Sequence, residues 1–500
     1  MRRPTLPRRS GHGSRGGDAA VRGPDAALVA DLRGALDDDR VHDSALDRSL
    51  YAHDASVIEG GRAGPICFPL DTAEVAACVR TARAHGRAIV PRGAGTGLAG
   101  GAVPFDGAVV VSTTRMDQIV SVDVAERVAW VQPGVVNLDL THALRGTGLH
   151  FAPDPSSQQS CTIGGNVANN SGGPHCLALG VTSAHVLAVE AVLPDGEVVV
   201  LGGLDADPPG LDLRGAFVGG EGTLGIATNI AVRLTPDPPA VRTLLLDFTT
   251  VDAAAATVSG IIAAGIVPAA VEMMDARITR AAEEFTGAGY PLDAAAVLLV
   301  EVDGAPAGVA ADAARVAEVG RAHGVRHVRD AVDPAERALL WKGRKTAFGA
   351  VARVKPNYYL HDTVVPRTRL LEVLRQVYEI AERHDVLVMN VFHAGDGNLH
   401  PLLVYDAREP GVAERVHAAG HEIVEASIRA GGVLSGEHGI GLEKRDLMPL
   451  QFSPDDLAAQ ARLRCAFDPD GVCNPDKVLP RGASCADVAA LREVPEGAWL

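Results

Sequence analysis

The 500-residue chain has no paired CxxC, no Gly-Lys-Ser/Thr after a glycine loop and no long uninterrupted apolar run. Each absence removes a class of protein. Without CxxC pairs neither a ferredoxin-type cluster nor a zinc ribbon is expected. The seven cysteines, at 67, 78, 161, 176, 465, 473 and 485, form no spacing framework, and their odd number suits a reducing compartment. Lacking Gly-Lys-Ser/Thr, the chain is not a Walker-type nucleotide hydrolase. The most apolar stretch, 258–274, contains Pro268 and two glycines, so no membrane span is expected. The basic N-terminus MRRPTLPRRSGHGSRGG has no apolar core and reads as a disordered tail over 1–24 rather than a secretory signal. Basic charge is scarce overall: the formal net charge of -16 argues against a nucleic-acid partner.

Glycine, in contrast, is abundant, with 55 residues that cluster in particular places. Asp71-Thr72-Ala73-Glu74 is a capping pattern opening a helix that ends near Gly86, and Arg87–Val90 reads as a strand leading into a glycine loop. Gly95-Thr96-Gly97-Leu98-Ala99-Gly100 satisfies GxGxxG, but a nicotinamide-binding fold requires a helix to start inside that loop. Gly101-Ala102-Val103-Pro104-Phe105-Asp106-Gly107 follows instead and is not helical. A helix-free loop carrying Gly93, Gly95, Gly97, Gly100 and Gly101 can turn several N–H groups inward as an anion nest. A second small-residue segment, 161–175, reads as a run of turns whose backbone can approach a flat ligand. A third, Gly219–Ile226, accompanies it.

Around these segments the pattern predicts a first unit of strands at 108–112, 119–123, 128–132, 185–193, 197–201 and 225–234, ending at the proline-rich 236–239. Strands and helices then alternate over 241–445, suggesting an antiparallel sheet with helices on one face. Domains are expected at 25–240 and 241–445. A short segment over 446–482 packs on the first, and a tail covers 483–500.

His393 and His400 bracket Ala394-Gly395-Asp396-Gly397-Asn398-Leu399. If this is a hairpin, the two imidazoles stand directly opposite, with Cβ atoms about 5 Å apart. Glu437, in Ser435-Gly436-Glu437-His438-Gly439, adds a carboxylate to a plausible N/O metal set. His421-Glu422 lacks the second histidine of a zincin motif.

PRGAGTGLAGG at 91–101, the IGGNVANNSGG run, EGTLGI, WKGRK at 341–345, HAGDGNLH at 393–400, SGEHGIG at 435–441 and NPDKVLP after Cys473 occur in that order. Together they resemble the FAD-linked oxidases of the vanillyl-alcohol oxidase/p-cresol methylhydroxylase superfamily, in the branch of the glycolate oxidase flavin subunit and D-lactate dehydrogenase. The resemblance implies an α+β fold: a two-subdomain FAD-binding domain, an antiparallel-sheet cap (substrate) domain and a C-terminal segment returning to the FAD domain. It implies non-covalent FAD held by Arg92, Gly93, Ala94, Gly95, Thr96, Gly97, Gly100 and Gly101. Pro153, Ser157, Gly164, Gly165, Asn166, Asn170, Gly225, Ile226 and Asn474 complete the implied cofactor set. His393, His400 and Glu437 would bind a divalent metal, zinc first and manganese or iron next. His438 would be the general base and Arg344 the grip on a substrate carboxylate.

The expected reaction is oxidation of a small D-2-hydroxy acid, glycolate or D-lactate. No lysine occupies Tyr358-Tyr359-Leu360-His361-Asp362, which favours a monocarboxylate. The electron acceptor would be a quinone, a cytochrome or an iron–sulfur subunit, and a homodimer is compatible. The expected location is the cytoplasm, or the inner membrane face through a partner. The alternatives are a flavin oxidase of another alcohol using oxygen and a non-catalytic flavin-binding subunit. An intact His393/His400/Glu437/His438 set speaks against both.

Overall fold

The computed structural model describes residues 25–205, 208–481 and 485. The expected tail over 1–24 and nearly all of that over 483–500 lie outside the described residues.

Three sheets organise the chain. The first has four strands in the order Val41–His42, Ile66–Cys67, Val109–Ser112, Ile89–Arg92. Helix Thr72–Ala84 links the second strand to the last, which lie parallel on either side of Val109–Ser112. Asp71 caps this helix by accepting the N–H of Glu74, and Val75, Cys78, Val79 and Ala82 bury one face of it. The crossover delivers Arg92 and the glycine loop to the end of a buried parallel strand, where open α/β sheets place ligands.

The second sheet is antiparallel, with the order Ile119–Asp123, Val128–Val131, Ile226–Arg233, Val186–Val192, Val198–Gly202. Pro194-Asp195-Gly196 turns its outer hairpin as predicted, with Gly196 at φ 88. These two sheets occupy the half of the chain expected to be a two-subdomain FAD-binding domain.

The third sheet has nine strands, all paired antiparallel, and carries the cap domain. Its central strand, Ala296–Gly304, is buried from Ala296 to Val302 on both faces, hence its near-continuous apolar sequence. The expectation of helices on one face alone is corrected. Helices Val251–Ala263, Pro306–Ala322, Leu370–Arg383 and Val412–Arg429 cover one face, and Ala276–Thr286, Pro334–Lys345 and Ala347–Val351 cover the other. Two separate cores result, and the second helical layer, carrying Trp341, Arg344 and Lys345, meets the first half of the chain at His175 and Asp154.

The C-terminal segment returns to the first sheet. Cys473 bridges Ile89, and the Asn474 N–H donates to the Ile89 carbonyl at 2.7 Å. Cys465 and Cys485 are joined by a disulfide, Cα to Cα 5.5 Å, so one cysteine pair exists that spacing alone did not indicate. No helix among the described residues is long and apolar enough to cross a membrane.

Candidate active site

A cavity of about 420 Å³ runs between the two halves of the chain, within the size range of cofactor and ligand sites. The glycine loop forms one wall. Among the described residues, the N–H groups of Ala94–Gly101 donate no hydrogen bond to protein atoms. A Cβ built on Gly97 would meet nothing within 4 Å. Such unpaired donors beside open space are the signature of an anion cradle. Gly95 and Gly100 hold φ values of 73 and 77, which a glycine adopts without strain.

The opposite wall is a short helix, Ile163–Asn169, where a run of turns was expected. Thr162 caps it by accepting the N–H of Gly165 at 3.2 Å, and Asn170 ends it at φ 50. Packing requires glycine at 164 in this helix and at 93 in the loop facing it. A Cβ on Gly164 would lie 2.5 Å from Pro133 Cβ, and one on Gly93 would lie 2.4 Å from Thr162 Oγ1.

Of the expected cofactor residues, Arg92, Gly93, Ala94, Gly95, Thr96, Gly97, Gly101, Ser157, Gly164, Gly165, Asn166, Gly225 and Ile226 line the cavity. Gly100, Pro153, Asn170 and Asn474 do not line it. Asn474 Nδ2 donates to the carbonyls of Gly101 and Glu221 at 2.9 and 2.7 Å, tying the glycine loop to the 219–226 segment. Lys477, wholly buried, donates to the Gly101 and Val103 carbonyls. Burial pushes its ammonium down to about 7, against the pull of Asp54 and Glu221.

At the cap end the cavity meets Phe348, Tyr358, Leu360, Glu437 and His438. Here the histidine register differs from expectation: His393 pairs with Asn398, and Asn390 pairs with Pro401. His400 is therefore diagonal to His393 rather than opposite. Diagonal neighbours share a face of the sheet, so the rings still meet with centroids 5.1 Å apart.

Glu437 Oε1 lies 3.4 Å from His393 Nε2 and 3.3 Å from His400 Nε2. The three ligand atoms fall within 4.8 Å of one another, and so do those of Asp362, His400 and His438. Both nitrogens of His400 are buried without a hydrogen-bond partner. On the far side of His393, Nδ1 meets Glu272 Oε1 at 2.7 Å, which fixes the ring with Nε2 toward Glu437. Orphaned imidazole nitrogens, a shared carboxylate and a supporting second carboxylate suit a divalent cation. Burial disfavours the Glu437 carboxylate, but His393, His400 and His438 bring it down to about 2. Burial pushes His438 down to about 4 despite Asp362 and Glu437, leaving a neutral imidazole at the cavity wall.

Two carboxylates unnoticed in the sequence hold the 435–441 segment. Asp362 accepts from Ser435 Oγ and from the N–H groups of Gly436, Glu437 and His438. Glu221 accepts from those of Ile440 and Gly441 at 2.7 and 2.8 Å. Each sits in a motif dominated by glycines or aromatics, and only the fold brings it to its loop. Glu221 has the only sequence cue, an acid among the glycines of 219–225, held at φ 50.

Arg344 is not on the cavity wall. Its guanidinium has no exposure and lies 2.5 Å from Glu272, itself fully buried. Its three nitrogens lack hydrogen-bond partners of good geometry. They lie behind His393, one carboxylate removed from the imidazole.

A glycine-lined cavity, with an anion cradle at one end and a histidine–carboxylate cluster at the other, defines a flavin-type oxidoreductase site. Comparisons with known proteins agree. Residues 65–202 match the FAD binding domain family, and residues 237–478 match the family of FAD linked oxidases, C-terminal domain. The chain is 43% identical over 447 residues to glycolate oxidase subunit GlcD of Escherichia coli (strain K12), covering 89% of this chain and 90% of that one. It is 38% identical to the GlcD subunit of Bacillus subtilis (strain 168), covering 88% and 94%. It is 32% identical to D-lactate dehydrogenase of Anaerostipes hadrus, covering 86% and 92%. Substrate-bound p-cresol methylhydroxylase shares the fold with a TM-score of 0.79 at 16% identity, covering 92% of this chain and 98% of that one. The chain belongs to the FAD-linked oxidases, and its relatives include glycolate oxidase GlcD subunits and D-lactate dehydrogenases.

Proposed function

We propose that this protein oxidises a small D-2-hydroxy acid, glycolate or D-lactate, to the 2-oxo acid with non-covalently bound FAD and a divalent metal. The observation that carries this reading is the buried His393/His400/Glu437 cluster, with neutral His438 beside it on the wall of the glycine-lined cavity. FAD, when bound, supplies the two-electron acceptor. The metal, when bound, supplies a Lewis acid that acidifies the substrate hydroxyl. His393 Nε2, His400 and Glu437 would hold that metal, with Glu272 orienting His393.

His438 takes the hydroxyl proton at its imidazole, held in place by the Asp362 nest. Arg344, the carboxylate grip that the resemblance implies, is enclosed beside Glu272 with no exposure, so its role here is to hold Glu272 and, through it, His393. No lysine occupies 358–362, which supports a monocarboxylate. Two relatives are named as subunits, which supports a partner chain; the acceptor would be a quinone, a cytochrome or an iron–sulfur subunit.

Anaerobic mixing of the purified holoprotein with D-lactate, L-lactate, glycolate and D-2-hydroxyglutarate tests this. Bleaching of the flavin by glycolate or D-lactate is expected. No bleaching by any of the four sinks the proposal. Metal analysis of His393→Ala and His400→Ala tests the ligand set, and unchanged metal content in both removes it.

A further inference from the structure

Arg344 and Lys345 are neighbours in sequence and diverge in space. Arg344 is enclosed beside Glu272 behind the histidine cluster, whereas Lys345 reaches the wall of the cavity. Its contacts on the FAD-binding half are specific. Lys345 Nζ lies 3.5 Å from Asp154 Oδ2, and Asp154 precedes the cavity-lining residues Pro155–Ser157.

That carboxylate is already paired, since the same Oδ2 lies 2.9 Å from His175 Nδ1. His175 in turn spans to Glu301 of the cap, Nε2 to Oε1 3.4 Å, and stacks on Trp341 at 29°. Glu301 is saturated by others: Arg337 at 2.8 and 2.6 Å, Trp341 Nε1 at 2.7 Å and Thr243 Oγ1 at 2.6 Å. Burial opposes charge on His175, but Asp154 and Glu301 hold it up to about 10. Three cations thus surround two buried carboxylates, and Lys345, the most loosely paired, is the one at the cavity. Its surplus charge lies on the wall shared with Phe348 and His438, remote in sequence and function from the anion cradle at 94–101.

We infer that Lys345 is the cation facing the ring system of the bound flavin, where it stabilises the negative charge left by hydride transfer. The inference rests on the flavin reading above. In that reaction the substrate C–H bond breaks with both electrons going to the flavin. The hydroxyl proton goes to His438, and a C=O bond forms in the 2-oxo acid. Bound flavin would take up that hydride without a further proton, and so one negative charge. Lys345 meets that charge from the cavity wall. The Asp154–His175–Glu301 bridge fixes Lys345 from both halves of the chain.

The test uses the holoenzyme, its Lys345→Met and Lys345→Arg variants, and reductants other than substrate. The flavin midpoint potential is measured by dye equilibration, and affinity for sulfite, which also leaves a negative charge on the flavin, by absorbance titration. In Lys345→Met the ratio of reduced to oxidised flavin should fall about 10- to 100-fold, a drop of about 30–60 mV for a two-electron couple. Sulfite affinity should fall about tenfold or more, and Lys345→Arg should restore most of both. An unchanged potential with a raised KM would make Lys345 a substrate anchor and overturn the inference. Loss of FAD affinity with an unchanged potential in the remaining bound flavin would overturn it equally. Because no 2-hydroxy acid enters the potential measurement, a wild-type flavin that dyes reduce and substrates do not would sink the substrate reading separately.

Discussion

Replacing Glu272 with Gln keeps the shape of the side chain and an acceptor for His393 Nδ1, and removes the charge facing Arg344. Both partners of that ion pair are wholly buried, 2.5 Å apart, and cross-strand pairing of Glu272 with His393 leaves the carboxylate no room to swing away. Removing one member of a buried pair leaves the other uncompensated, which costs about 3–5 kcal/mol. At about 1.4 kcal/mol per tenfold, the folded-to-unfolded ratio of the cap falls by more than a hundredfold. The assay is urea unfolding of chelator-treated protein, so that metal binding does not contribute, with the cap transition followed separately from any FAD-domain transition.

Arg344→Met alone should cost a similar amount. The double variant Glu272→Met/Arg344→Met should lose far less than the sum, because apolar side chains replace both charges. A Glu272→Gln variant within about 1 kcal/mol of wild type would refute the reasoning. So would strictly additive losses, since they would mean that the two groups do not stabilise one another.

Three further outcomes are expected. Gly97→Ala should leave the apoprotein's thermal midpoint unchanged, since its Cβ meets no protein atom, yet weaken FAD binding about tenfold or more in a fluorescence titration. Gly164→Ala, whose Cβ would lie 2.5 Å from Pro133 Cβ, should lower that midpoint instead. His175→Gln should destabilise the protein at pH 6.5, and the deficit should shrink as pH rises toward 10. A group raised to about 10 contributes fully below its unfolded value near 6.5 and loses that contribution as pH passes through its folded value. Melting curves of both proteins across that range decide it, and a pH-independent gap would count against a charged His175.

Local signals made most of the fold legible. The Asp71 cap, the Pro194-Asp195-Gly196 turn and the β-rich runs act within a few residues, so the sequence displays them directly. The helix Ile163–Asn169 was hidden because Gly164 and Gly165 lower helix propensity, while the contact that requires glycine there, with Pro133, lies 31 residues upstream. The cap's second helical layer was hidden for a related reason, since periodicity names a buried face without saying which side of the sheet receives it. At the site, His393, His400 and Glu437 stood out through glycine-flanked motifs. Their supports did not, because Glu272, Glu301 and Asp362 sit in strands or beside them, where an acid signals nothing until a partner strand or loop delivers the cation or N–H that justifies it.

The loop carrying Glu437 and His438 hangs between Asp362 of the cap and Glu221 of the FAD-binding half, accepting its shape from both. Neither half alone owns the reactive geometry. A halved gene, or a cap transplanted onto a related cofactor domain, would carry every motif and still lack one of the two anchors. Variation that changes how the halves dock therefore reaches the base and the metal ligand together. Substrate preference in this architecture can then shift through residues on the domain seam, far from any atom of the substrate.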